Sequence, residues 1–156
     1  MNTDFNTIYN CFYSKITDDM YMELDKNQTE AMTEELFDRA LPWFEFPRVN
    51  IYDFDREKKC YNIKLTMEEI NIIAVYMVVA WLTQQLVSVE NIRMKYSGSD
   101  FKMTSQANHL AKLLTLLTES RRDSFHMQRL YKRRKLADGG YKSNWSSLME
   151  VSALDD

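Results

Sequence analysis

The stretch TMEEINIIAVYMVVAWLTQQLVSV, residues 66–89, decides the fold. Thr66 followed three residues later by Glu69 is a capping box, in which each side chain satisfies an orphan backbone N–H of the other. From Ile70 to Val89 almost every side is apolar: Ile72, Ile73, Ala74, Val75, Met77, Val78, Val79, Ala80, Trp81, Leu82 and Leu86. A helix apolar on all sides must be covered on all sides, so this segment is expected to be the central helix of a bundle. Its longest apolar run, Ile72 to Leu82, is shorter than the ~20 residues of a membrane span.

Working towards the N-terminus, the sequence between Arg48 and Leu65 changes period. Val49, Ile51 and Phe54, then Tyr61, Ile63 and Leu65, alternate with polar residues around the charged, turn-like Asp55-Arg56-Glu57-Lys58-Lys59. A short β-hairpin or extended flap over residues 48–65 is expected. Before it, Ala31, Met32, Leu36, Phe37, Ala40 and Leu41 form one side of a helix opened by Asn27 or Thr29. Pro42 should end that helix, and Phe44 to Pro47 should leave it extended. Phe5, Ile8, Tyr9, Phe12 and Ile16 mark a first helix, after which Thr17 or Asp18 could cap a short turn through Leu24.

Working towards the C-terminus, Ser88 to Tyr96 reads as a separate helical turn and Ser97 to Asp100 as a loop. Thr104 or Ser105 is expected to cap a last long helix through Ala107, Leu110, Leu114, Leu117 and Arg121 towards Leu130. Asp138-Gly139-Gly140 should stop it, glycine tolerating a left-handed C-terminal conformation. The expected class is therefore mainly α: a helical bundle of about four helices over residues 1–137, with the flap at 48–65. An extended C-terminal docking tail, 138–156, completes it.

Composition narrows the function. The chain has 156 residues, 45% of them hydrophobic, enough for one domain with a proper core. Three glycines cannot build a phosphate-binding loop. Cys11 and Cys60 lack CxxC spacing, and a disulfide between them has no support. The start, MNTDFNTIYN, has no basic region or apolar run of a signal peptide, which suits a reducing, aqueous compartment. Acid pairs such as Asp18-Asp19, Glu34-Glu35 and Glu68-Glu69 sit at helix starts and point about 100° apart, so they read as capping charge. His109 and His126 stand seventeen positions apart on one predicted helix, about 25 Å, too far to share a metal. No catalytic centre, cofactor or metal site is expected.

Charge is divided along the chain. Residues 1–60 carry thirteen acids against seven bases, whereas 119–142 carry eight bases against three acids. Within the basic region lies Arg129-Leu130-Tyr131-Lys132-Arg133-Arg134-Lys135. It reads in three ways: a solvated helix end complementing the helix dipole, a phosphate-binding footprint, or a dock for an acidic protein surface. The polar segment after it holds Tyr141 and Trp145, residue types that anchor a docking segment, unless Trp145 folds back onto its own bundle.

The ordered set of segments resembles the head–tail connector (neck adaptor) proteins of tailed bacteriophages of the siphophage type. The residues that carry the likeness are Ile16-Thr17-Asp18-Asp19, then Ala40-Leu41-Pro42-Trp43-Phe44-Glu45-Phe46-Pro47, then Leu65 to Ile70. They continue with Asp100 to Leu110, Tyr131-Lys132-Arg133-Arg134 and Gly140 to Asn144. The resemblance spans nearly the whole chain and includes no active-site signature. It implies a structural virion protein, made in the host cytoplasm and sited in the neck. There it forms a homo-oligomeric ring, typically dodecameric, beneath the portal protein. The ring would extend the DNA channel, with DNA passing through the lumen without sequence-specific binding. It would also seat a stopper or tail completion protein, and no membrane is involved. Such a ring needs head-to-tail contact between two different faces, for which the acidic front and the basic late segment are candidates. By position, partner contact falls on Arg129, Lys132, Arg133, Arg134, Tyr141, Lys142 and Trp145. The alternative is a small helical nucleic-acid-binding regulator using the basic helix 121–135.

Overall fold

The computed structural model describes residues 2–16, 26–95, 103–137 and 140–143. Four helices, α1 (Phe5–Tyr13), α2 (Lys26–Ala40), α3 (Met67–Lys95) and α4 (Met103–Arg133), form the body. A 3₁₀ turn, Leu41–Trp43, follows α2 at Pro42, as the missing proline N–H demands. Between α2 and α3 lie two short strands, β1 (Phe54–Asp55) and β2 (Cys60–Tyr61), and after α4 come β3 (Arg134–Ala137) and β4 (Gly140–Ser143).

The capping box forms as expected. Thr66 N–H donates to Glu69 Oε2 at 2.7 Å, and Glu69 N–H donates to Thr66 Oγ1 at 3.3 Å. Helix α3 is then covered by α1, α2 and α4, each of which packs on it. Ile70, Ile72, Ile73, Ala74, Tyr76, Met77, Val79, Ala80, Trp81 and Leu82 are buried. By length and composition the 22-residue stretch Met67–Ser88 would also suit a bilayer, longer than its apolar core run suggested. Here that apolarity lies mostly inside the bundle. The helix runs unbroken to Lys95, so the expected separate turn after Ser88 is its continuation.

Helix α1 begins at Asp4, whose carboxylate accepts from Asn6 N–H at 2.9 Å. Its buried face is Phe5, Ile8, Tyr9 and Phe12. Tyr13 Oη lies 2.6 Å from Thr33 Oγ1, fixing α1 against α2. Leu36, Phe37 and Ala40 complete the buried side of α2, while Ala31 faces outward. Phe5, Phe37, Phe54 and Tyr61 meet with ring centroids 4.9–6.3 Å apart, mostly edge to face, which suits the ring quadrupoles.

The flap is a real but minimal hairpin, pairing Phe54 with Tyr61 and Asp55 with Cys60. Asp55 Oδ1 accepts the N–H groups of Glu57 and Lys58, and Lys59 takes φ 50°, closing the turn. Its outer strand is lengthened from an unexpected source. Tyr61 N–H donates to Thr3 O at 2.8 Å and Phe5 N–H donates to Lys59 O at 2.9 Å, so the N-terminal segment runs beside β2. Cys11 and Cys60 are both free thiols.

Three expectations about the second half change. Helix α4 starts at Met103, which puts Thr104 and Ser105 inside the helix rather than at its cap. It ends at Arg133, and Arg134–Ala137 pairs antiparallel with Gly140–Ser143. The expected stop at Asp138-Gly139 lies outside the described residues, and the helix has already ended before it. The basic helix 121–135 loses Arg134 and Lys135 to β3, and the strand pairing straddles the boundary placed at 138. The buried stripe of α4 is Leu113, Leu117, Ser124, Gln128 and Tyr131, with Leu114 and Arg121 exposed. The loop at Ser97 to Asp100 and the turn at Thr17 to Leu24 lie outside the described residues.

Candidate partner-binding surface

The segment Phe44 to Arg48 leaves the 3₁₀ turn extended and is pinned across α4 by two buried side chains. Gln128 Oε1 accepts Glu45 N–H at 3.2 Å and the hydroxyl of Tyr76 at 3.0 Å. Tyr131 Oη accepts Arg48 N–H at 2.8 Å and donates to Glu69 Oε1 at 2.5 Å. The Arg48 guanidinium stacks 3.8 Å from the Tyr131 ring centroid and donates to the Tyr131 carbonyl. Glu69, 1% exposed, is thus the capping carboxylate of α3 and the acceptor that holds α4. Burial, reinforced by the bond to Glu69, keeps the Tyr131 phenol well above its ordinary range. Burial likewise pushes the Tyr76 phenol up. Tyr131 therefore belongs to the core, not to an exposed base-and-aromatic footprint.

Because the backbone of 44–48 is tied down, its outward side chains are held in place. Phe46 is 48% exposed, Trp43 40% and Phe125 on α4 54%. Two adjoining clefts run between the segment and α4. One, of about 380 Å³, is lined by Trp43, Glu45, Tyr76, Arg121 and Phe125 among others. The next, of about 550 Å³, is lined by Glu45, Phe46, Arg122, Phe125, Arg129 and Lys132 with Gln128 at its base. At about 100° per residue, Arg121, Arg122, Phe125, Arg129 and Lys132 fall within an arc of about 100°, beside the buried stripe. The Lys132 ammonium lies 3.8 Å from the Phe46 ring centroid, a cation–π contact. The result is one groove with an aromatic floor, four cations and a single acid, Glu45. Its chemistry suits an anionic segment carrying large apolar anchors.

Of the residues expected to meet partners, Arg129 and Lys132 line this groove and Arg133 is exposed at the end of α4. Arg134, Tyr141 and Lys142 lie on β3 and β4, where Arg134 pairs with Ser143, Lys135 with Lys142 and Leu136 with Tyr141. The hairpin thus returns the chain to the end of α4. Trp145 lies outside the described residues. Sequence reasoning missed Trp43, Phe46, Arg122 and Phe125. The repeat Arg121, Phe125, Arg129, Lys132 along one helix was the available signal, but pairing it with Phe46 required the tertiary fold.

Elsewhere, part of the acidic front is engaged internally. Lys59 bridges Glu30 and Glu34, and Arg56 binds Asp38 at 2.7 Å. His109 and His126 are exposed on α4. Among the described residues no group of three or more His, Cys, Asp or Glu could hold a metal ion. Compared with known proteins, the chain matches no family model, no curated protein and no solved structure.

Proposed function

We propose that this chain is a structural assembly protein of a phage virion, a head–tail connector that forms a ring beneath the portal and joins it to a stopper or tail completion protein. What supports this reading is the sequence resemblance together with the groove, whose exposed aromatics and cations suit the holding of another polypeptide. The observation that carries it is the pinned Phe46 facing Phe125 and Lys132, a preorganised apolar anchor site within a cationic rim. No enzymatic role and no cofactor enters this reading. The neck ring, the dodecameric order that the resemblance implies, and the virion location all belong to the same proposal. Electron microscopy of the full chain mixed with candidate portal proteins tests it. An added ring on the portal is the expected image, and bare portals with every candidate would overturn it.

A second reading has one observation in its favour, the four cations of one α4 face. A nucleic-acid-binding regulator would bind duplex DNA at submicromolar strength with a steep salt dependence. The connector reading expects only weak, sequence-independent retention, so a salt-resolved binding titration separates the two.

A further inference from the structure

The groove is complementary to a segment of this same chain. Residues 144–156 carry three acids, Glu150, Asp155 and Asp156, with no base, and large apolar residues Trp145, Leu148, Met149, Val151 and Leu154. The groove carries Arg121, Arg122, Arg129 and Lys132 around Trp43, Phe46 and Phe125. Charge and apolarity thus match in kind.

The hairpin adds a geometric reason. Ser143 pairs with Arg134, the residue next after α4, so the chain leaves β4 beside the end of that helix. From there Lys132, Arg129, Phe125 and Arg121 lie progressively back along α4. Phe125 is nine residues from Arg134, about 13 Å at the helical rise. Thirteen extended residues span up to about 43 Å, so the whole groove is within reach. Laid antiparallel to α4 at about 3.3 Å per residue, the segment brings Trp145 to Phe46 and Lys132. Leu148 then reaches Phe125, and Glu150 reaches Arg121 and Arg122. So short a tether raises the local concentration of the segment to the order of millimolar, favouring the same chain over a second copy.

We propose that residues 144–156 occupy the groove between segment 44–48 and α4 of their own chain, Trp145 anchoring on Phe46 and Phe125 and the acids facing the α4 cations. This inference rests on the groove and the hairpin register, and it stands or falls apart from the connector reading.

The test uses the full chain. Equal amounts of ¹⁴N- and ¹⁵N-labelled protein are mixed, treated with a water-soluble carbodiimide and mapped by mass spectrometry. The expected result is amide links from Lys112, about 33 Å back from Arg134, to Asp155 or Asp156, about 40 Å along the extended segment, within single-isotope molecules. Links to Lys132, which lies beside Trp145 in this register, should be scarce. Loss of an anchor in Phe125→Ala or Trp145→Ala should lower the Lys112 links about tenfold. Phe125 is exposed, so its truncation leaves the core intact, which far-ultraviolet circular dichroism verifies. Links spread evenly over Lys132 and Lys112, links unaffected by both substitutions, or links only between isotopes would each overturn the proposal. The last of these would reassign the occupant to a second copy.

Discussion

Tyr131 is set among Arg129, Lys132, Arg133, Arg134 and Lys135, yet its ring is fully buried against Phe44, with centroids 5.2 Å apart. Its hydroxyl makes two bonds, donating to Glu69 and accepting from the backbone of Arg48. A buried carboxylate acceptor left without its donor costs more than the bond itself is worth, because desolvation is no longer offset. Tyr131→Phe should therefore destabilise the protein by about 1–3 kcal/mol in urea unfolding, despite removing one oxygen. It should also loosen segment 44–48, seen as faster amide exchange at Arg48. A stability change below about 0.5 kcal/mol would mean that the hydroxyl is not the tie between α3, α4 and that segment. Gln128 has the parallel role a turn earlier. Both residues were hidden in the sequence because a polar residue on a charged helix reads as solvent-facing.

At the scale of elements, the start of α3 was the most legible feature and is open to a direct check. Thr66→Ala removes the Oγ1 acceptor of Glu69 N–H and should cost about 1 kcal/mol, with Thr66→Ser restoring most of it in the same urea assay. The clamp of β1 and β2 on α2 should behave differently. Asp38→Asn, breaking the exposed pair with Arg56, should change stability by less than about 1 kcal/mol, and the difference should vanish in molar salt. Helix α1 was equally readable through Phe5, Ile8, Tyr9 and Phe12, and α2 through Leu36, Phe37 and Ala40, although Ala31 faces outward and the helix begins at Lys26, before the expected openers Asn27 and Thr29. Helix α4 was not. Its buried stripe passes through Ser124 and Gln128 while Leu114, Leu116 and Phe125 stay exposed, so hydrophobicity points to the wrong arc. The helix stop failed for a related reason. Asp-Gly ends a helix or joins two strands with equal ease, and only the pairing of Arg134–Ala137 with Gly140–Ser143 distinguishes them.

For the molecule as a whole, charge and burial divide the work. The acidic front spends Glu30, Glu34 and Asp38 on the hairpin, an internal use that could not be foreseen from a charge count. The core itself carries a pH liability. Tyr9, Tyr61 and Tyr131 are buried, and burial is the first cause holding each phenol far above its ordinary value near 10. Folded-state values above the unfolded one mean that the native state keeps protons that the unfolded chain releases. Stability from this source is fully present below about pH 10 and falls as pH rises beyond it. The slope should approach about 1.4 kcal/mol per pH unit for each of the three tyrosines. Urea midpoints measured from pH 8 to 12 should thus be flat first and then drop steeply. The hydroxyls of Tyr9 and Tyr61 have no hydrogen-bond partner among the described residues. Tyr9→Phe and Tyr61→Phe should accordingly leave neutral-pH stability unchanged or raised by about 1 kcal/mol, while each removes one tyrosine's share of the alkaline slope. Tyr131→Phe would also flatten the slope but from a lower starting stability. That contrast separates a phenol that merely fills the core from one that ties it together.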